Sequence, residues 1–263
     1  MSLTPAEWHR RYTEQARWTS DLRRYLLAQV SLPPDPRVLE VGCGTGAVLS
    51  DIHTPSASER SSLAEGVYGI DLSQPSLRLA GQHVPGAALA CADAQALPFA
   101  DASFHLVLAH FLLLWVQDPL RVLCEMRRVA RPGAAVMALA EPDYGGRVDH
   151  PAELAQVGAW QTASLQAQGA DPFTGRKLGS LFAQAGLADV QVGVLGGQWQ
   201  AQAHDPAASE SEWQVIEADL QALPGRPIPP AETTHLRRLD EDARRRGERI
   251  LFVPTFYAWG KAR

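Results

Sequence analysis

Over residues 37 to 141, short apolar runs alternate with longer amphipathic stretches. The runs at 37–41, 67–71, 88–92, 104–109 and 134–140 are five to seven residues long and dominated by Val, Ile, Leu, Phe and Ala. Runs of that length and composition predict strands buried on both faces. Between them, stretches at about 46–53 and 75–83 predict helices. So does a third that opens with Asp118-Pro119 and turns Leu120, Leu123 and Val129 to one side. Pro132-Gly133 ends that helix before the next strand. Strand and helix in regular alternation predict an α/β protein on a doubly wound parallel sheet.

The flanks follow other rules. Thr4-Pro5-Ala6-Glu7 is a capping box with proline at the first helical position, and it opens a helical stretch to about Val30. Trp8, Tyr12, Trp18, Leu22, Tyr25 and Leu26 give that stretch an apolar face. Ser31-Leu32-Pro33-Pro34-Asp35-Pro36 breaks it. After Glu141 the alternation stops: helical segments at about 151–168 and 176–185 precede a strand-like Val190–Leu195. Two further helical patterns occupy 201–249 around the turn Pro224–Pro230, and Ile250–Trp259 reads as a last strand. The expected division is a helical cap at 1–30, a core at 31–200 carrying the helical segment 151–185, a helical insertion at 201–249 covering the acceptor side, and the last core strand in 250–263.

Candidate chemistry begins where the first strand runs into Gly42, Gly44 and Gly46. A backbone that turns sharply and lets a ligand touch it needs residues without side chains. Gly42, Gly44 and Ala47 also satisfy the fingerprint of dinucleotide-binding folds, which leaves an NAD-dependent oxidoreductase open. The neighbouring acids point elsewhere. Glu40, Asp71 and Asp93 lie at the carboxyl ends of three successive strands, the edge where open parallel sheets bind ligands. The glycine loop holds no Lys or Arg. Such an edge suits a ligand with positive charge, such as S-adenosylmethionine, better than a pyrophosphate.

Residues 38–46, Gly69-Ile70-Asp71-Leu72-Ser73, Ala92-Asp93-Ala94-Gln95-Ala96-Leu97-Pro98-Phe99, Asp101–Leu108 and Arg131-Pro132-Gly133 resemble, in order, the motifs of class I S-adenosylmethionine-dependent methyltransferases, especially the ubiquinone and menaquinone biosynthesis branch. The resemblance spans roughly residues 36–141. It implies a Rossmann-like sheet of seven strands whose last strand is antiparallel, paired as a hairpin with the strand before it. Here some fifty residues separate that pair. It also implies S-adenosylmethionine as cofactor and methyl transfer by in-line displacement to a small-molecule acceptor. By the same resemblance Asp71 binds the ribose hydroxyls, Asp93 and Ala94 the adenine, and Leu72 covers the base. Glu40 sits beneath the methionine end and orders the loop of Gly42, Cys43, Gly44 and Gly46. Tyr12, Arg17 and Trp18 close over the methionine carboxylate, although Tyr12 and Trp18 also lie on the apolar stripe. His110 lines the sulfonium pocket or acts as a general base, or is a core histidine. Tyr144, with Glu141 and Asp143, follows the fifth strand and faces the acceptor. His110 and Tyr144 are the catalytic candidates, and a catalytically silent cofactor-binding protein is the remaining alternative.

Composition narrows the partners. A formal charge of −5 argues against nucleic acid, which needs a basic face. The arginines at 237, 238, 244, 245, 246 and 249 are interrupted by Asp240, Glu241, Asp242 and Glu248, the pattern of a solvated helix face. Three widely spaced cysteines predict neither a disulfide framework nor a zinc site, and suit the cytoplasm. Leu106–Val116, the longest apolar run, is too short to span a bilayer, and the charged, tryptophan-bearing start of the chain does not read as a signal peptide.

Overall fold

In the computed structural model, residues 4–53, 66–196, 206–221 and 228–263 are described. Two helices come first, α1 (Pro5–Trp18) and α2 (Ser20–Leu27). The capping box is formed: the Thr4 side chain accepts from the Glu7 N–H while the Glu7 carboxylate accepts from the Thr4 N–H at 2.7 Å. The single helix expected to Val30 breaks at Thr19, whose hydroxyl donates to the Ala16 carbonyl at 3.1 Å and competes with the helical ladder.

The core then runs β1 (Val38–Val41), α3 (Ala47–His53), β2 (Val67–Asp71), α4 (Gln74–His83), β3 (Ala88–Cys91), β4 (Phe104–Ala109), α5 (Pro119–Val129) and β5 (Ala130–Pro142). A short β6 (Val148–His150), α6 (Ala155–Ala167), α7 (Leu178–Gln184) and β7 (Ala188–Leu195) follow. The chain continues through α8 (Pro206–Gln221), α9 (Pro230–Arg245), β8 (Ile250–Phe252) and β9 (Thr255–Lys261). Trp199 and the turn at 224–227 lie outside the described residues.

Seven strands form one sheet in the order β3-β2-β1-β4-β5-β9-β7. The first five pair in parallel, and β9 runs antiparallel between β5 and β7. The apolar run of β4 is continuous because both faces are covered. Leu106 and Leu108 turn to a core shared with Val38, Val48 and Met137, while Val107 and Ala109 turn to one shared with Leu123, Met126 and Phe182. Burying one such leucine or valine side chain contributes about 1.5–3 kcal/mol.

Two features differ from the sequence reading. The final apolar run is two strands, split at Val253-Pro254, because proline cannot donate to a ladder. Its first half, β8, pairs with β6 in a separate two-stranded sheet. With three residues, only one of them apolar, β6 carries no alternation to detect. Among the described residues no helix is long and apolar enough to cross a membrane.

Candidate functional site

The carboxyl ends of β1, β2 and β3 assemble the first part of the site. Gly42, Gly44 and Gly46 all take positive φ, at 75°, 51° and 81°. At Gly42 a side chain would also lie 2.7 Å from Leu112 Cδ1, so both conformation and space require glycine there. The Gly42 and Cys43 N–H groups donate to the Ile70 carbonyl at 2.8 and 2.9 Å, tying the loop to β2. Asp71 continues the tie: Oδ2 accepts from Gly44 N–H at 2.9 Å and Oδ1 from Ser73 N–H at 2.8 Å. Asp93 Oδ1 accepts from Gln95 N–H at 2.8 Å and is exposed, while Ala94 beside it is buried. Leu72, directly after Asp71, is 71% exposed.

Glu40 lies at the floor. It is buried, and its Oε2 has no hydrogen-bond partner. Burial pushes its carboxyl well above the usual carboxylate range, against the opposing pull of Arg23. The Cys43 thiol is also raised, first by burial and then by the nearby Glu40 and Asp71 charges, so it is an inert packing group.

The N-terminal helices close this end. The Tyr12 ring lies 3.4 Å from where a Gly44 side chain would begin, and burial together with Asp71 raises its phenol. Trp18 is 59% exposed, with the Arg11 guanidinium 5.0 Å from its ring centre. Arg17 sits on the outer side of α1 in a surface hollow shared with Arg10, Thr13 and Glu14. The arginine that acts on Glu40 is Arg23, which is buried, donates to the Ala16 carbonyl at 2.7 Å and pairs with Asp51. In the sequence Arg23 looks like half of an exposed Arg-Arg pair. The available signal was its place on one helical face with Ala16, Thr19 and Leu26.

His110 follows β4, with Nε2 3.0 Å from the Thr19 hydroxyl. Burial, helped by the Arg23 charge, pushes its pKa down to about 3. Through Thr19 the ring ties the end of β4 to the join between α1 and α2. Glu141 and Asp143 are also taken up by the protein. Glu141 accepts the N–H groups of Leu112, Leu113 and Leu114 at 3.0, 2.8 and 3.1 Å, and burial pushes its carboxyl up to about 7 against those bonds. Asp143 is held by Arg176 and by Gly145 N–H.

Tyr144 packs with Phe111 against Leu114, Leu165 and Ala170. Burial raises its phenol, and Asp219 and Arg147 are among the charges acting on it. Asp219 and Arg11, both absent from the sequence-derived candidates, reach this region from α8 and α1. The arginine-rich segment is not a wholly solvated face. Arg249 is buried between Asp149 at 3.0 Å and Asp240 at 2.5 Å, and Arg244 holds Asp240 at 2.8 Å. Tertiary packing turned these charges inward, where each found a partner.

A parallel sheet ending in an inserted antiparallel strand, with glycines and acids at its carboxyl edge, is the fold of class I methyltransferases. Residues 39–138 match the family model described as a methyltransferase domain. A demethylmenaquinone methyltransferase of Renibacterium salmoninarum is 34% identical over 125 residues, 47% of this chain and 49% of that protein. A malonyl-[acyl-carrier protein] O-methyltransferase of Halorhodospira halophila is 31% identical over 200 residues, 73% of this chain and 60% of that protein. The chain spans about half the length of the demethylmenaquinone methyltransferases it matches. Among solved structures, a possible histamine N-methyltransferase from Thermotoga maritima superposes with a TM-score of 0.53 at 17% identity, covering 97% of this chain and 91% of that one.

Proposed function

We propose that the protein binds S-adenosylmethionine at the edge formed by Glu40, Asp71 and Asp93 and transfers its methyl group to a small-molecule acceptor. The observation that carries this reading is the unpartnered Oε2 of the buried Glu40. A buried carboxyl oxygen with no partner is costly, and a cationic ligand group over the loop relieves it by favouring the ionised form that burial opposes. A pyrophosphate there would face like charge instead. Asp71, already oriented by two backbone N–H groups, would hold the ribose hydroxyls; Asp93 and Ala94 would hold the adenine, with Leu72 covering it. Tyr12 would shield the loop. When bound, the cofactor supplies a methyl group on a sulfonium, activated for in-line attack. The chain's task is then alignment and exclusion of water, and positioning alone can lower a barrier by about 7–11 kcal/mol. Three free cysteines suit a reducing compartment such as the cytoplasm.

Calorimetric titration with S-adenosylhomocysteine tests the reading. Asp71→Ala should weaken binding about 10- to 100-fold, since charge-assisted hydrogen bonds contribute about 1.5–3 kcal/mol. NADH should not bind. Equal affinity in wild type and variant, or micromolar NADH binding, would reverse the assignment.

A further inference from the structure

Two imidazole rings meet beside the glycine loop, each from a different helix. His9 of α1 and His83, the last residue of α4, stack with ring centres 3.6 Å apart and planes 20° from parallel. Between them they hold Thr45, the fully buried residue that separates Gly44 from Gly46. His9 Nδ1 lies 2.8 Å from the Thr45 hydroxyl, and His83 Nδ1 lies 3.1 Å from the Thr45 carbonyl. A carbonyl only accepts, so His83 donates from Nδ1. On His9 the second nitrogen is set by Thr13, whose hydroxyl donates to the His9 carbonyl at 2.9 Å and meets Nε2 at 3.5 Å as an acceptor. The neutral ring therefore carries its proton on Nε2, and Nδ1 accepts from Thr45.

Tyr12 lies three residues after His9 on the same face of α1, 3.4 Å from where a Gly44 side chain would begin. So α1 rests on two successive loop residues, with Tyr12 on Gly44 and His9 on Thr45. The loop is also tight against α4, since a Gly46 side chain would begin 3.3 Å from Ala80 and 3.1 Å from Val84. A shift of either imidazole is thereby a shift of the loop or of the helix above it.

Two positive rings in this contact would set like charges against each other, and the acids nearby are taken. The α4 segment contains no Asp or Glu. On α1, Glu7 is bound to Thr4, and Glu14, which shares a surface hollow with His9, Arg10 and Arg17, lies 3.6 Å from Arg11 Nη1. Asp51 of α3 pairs with Arg23, and Asp71 across the loop accepts from the Gly44 and Ser73 N–H groups. Burial, and after it the His83 ring, holds the His9 imidazole below the usual histidine range, toward the neutral form.

We propose that His9 and His83 are positioning residues for the cofactor loop: as a neutral stack they pin Thr45 and seat α1, and protonation of the stack releases that seat and weakens cofactor binding. This rests on the reading of the loop as the S-adenosylmethionine site. The contribution is complete above the ordinary histidine value of 6.5 and is lost as pH falls below it. Each proton taken up on release weakens binding by at most about tenfold per pH unit.

The test uses the full chain and two measurements. Calorimetric titration with S-adenosylhomocysteine at pH 7.5 and 5.5 compares wild type with His9→Asn, which keeps an acceptor near the Nδ1 position but takes up no proton. Acidification should weaken wild type at least fivefold more than it weakens His9→Asn, with His83→Asn in between. A loss common to all three belongs to the raised Glu40 carboxyl, and equal losses in wild type and His9→Asn overturn the proposal. The second measurement follows the imidazole proton resonances by NMR without ligand, assigned through the same two variants. His9 should titrate below 6.5 and move upward in His83→Asn; titration at or above 6.5 in wild type overturns the neutral stack. Failure of wild type to bind S-adenosylhomocysteine at pH 7.5 is a different result: it removes the cofactor reading and the effect on affinity with it, while the resonances still report the stack by itself.

Discussion

His110 illustrates how a residue's type and its role separate. The sequence offers a histidine after the fourth strand, where proton transfer would be useful; the structure buries its ring against Thr19 and lowers its pKa to about 3. The unfolded chain takes up a proton near the ordinary 6.5 and the folded chain does not, so this group's stabilisation is present above pH 6.5 and is lost as pH falls from there toward 3. The slope it adds is at most about 1.4 kcal/mol per pH unit. Glu141 works in the opposite sense: its folded pKa of about 7 against an ordinary 4.5 gives stability that is lost as pH rises through that window. Urea unfolding of wild type and His110→Gln between pH 7 and 4.5 separates the two. The variant should show a shallower decline on acidification; parallel curves would mean that His110 is protonated in the folded state.

At the scale of elements, α8 and α9 pack on α6. Their own small core, Trp213, Ile216 and Leu236 with Leu154 and Val157, seats them on α6 and the turn before it. Beneath it runs a buried ionic chain. Arg147 pairs with Asp149, Asp149 with Arg249 and Arg249 with Asp240, which also accepts from Trp213 Nε1 at 3.0 Å. Burial alone would raise the Asp240 carboxyl, yet the bonds from Arg244 and Trp213 and the Arg249 charge hold it below its ordinary value. Removing one member of such a network leaves buried cations uncompensated, which costs about 3–5 kcal/mol. Asp240→Ala should therefore lose about that much in denaturant unfolding. Asp240→Asn, which keeps an acceptor but not the charge, should lose less. A loss under 1 kcal/mol for Asp240→Ala would mean that α8 and α9 are held by their apolar core alone. None of this was legible beforehand: periodicity showed two helices, but whether Arg244 and Arg249 face water depends on Glu212 of α8, Asp240 of α9 and Asp149 of β6 meeting them in the fold.

For the whole molecule, cofactor and acceptor recognition should be separable. Glu40 and Asp71 lie on β1 and β2 and Asp93 follows β3, whereas Asp219 comes from α8 in the insertion. Replacing residues 203–248 by a short Gly/Ser linker, with Val157 and Trp160 changed to Gln to cover the bared face of α6, should leave S-adenosylhomocysteine affinity within about tenfold, roughly 1.4 kcal/mol. It should also abolish acceptor use. A cooperative thermal transition checks that the shortened chain folds. If that folded chain methylates the same acceptor at the same rate, the insertion has no part in recognition.

The sequence by itself determined the alternating core, the glycine turn and the three acids at one sheet edge. Each of these is a local pattern: period two or 3.6, a glycine where φ is positive, a carboxylate where a strand ends. Val38–Gly46 carries its instructions within nine residues. Tertiary structure alone decided that Arg23 acts on Glu40, that His110 meets the Thr19 hydroxyl, and that Glu141 turns back to the Leu112–Leu114 backbone. Those outcomes depend on which faces meet when distant elements pack, and on burial that sets a charge's cost only after its partners are known; no periodicity along the chain encodes either.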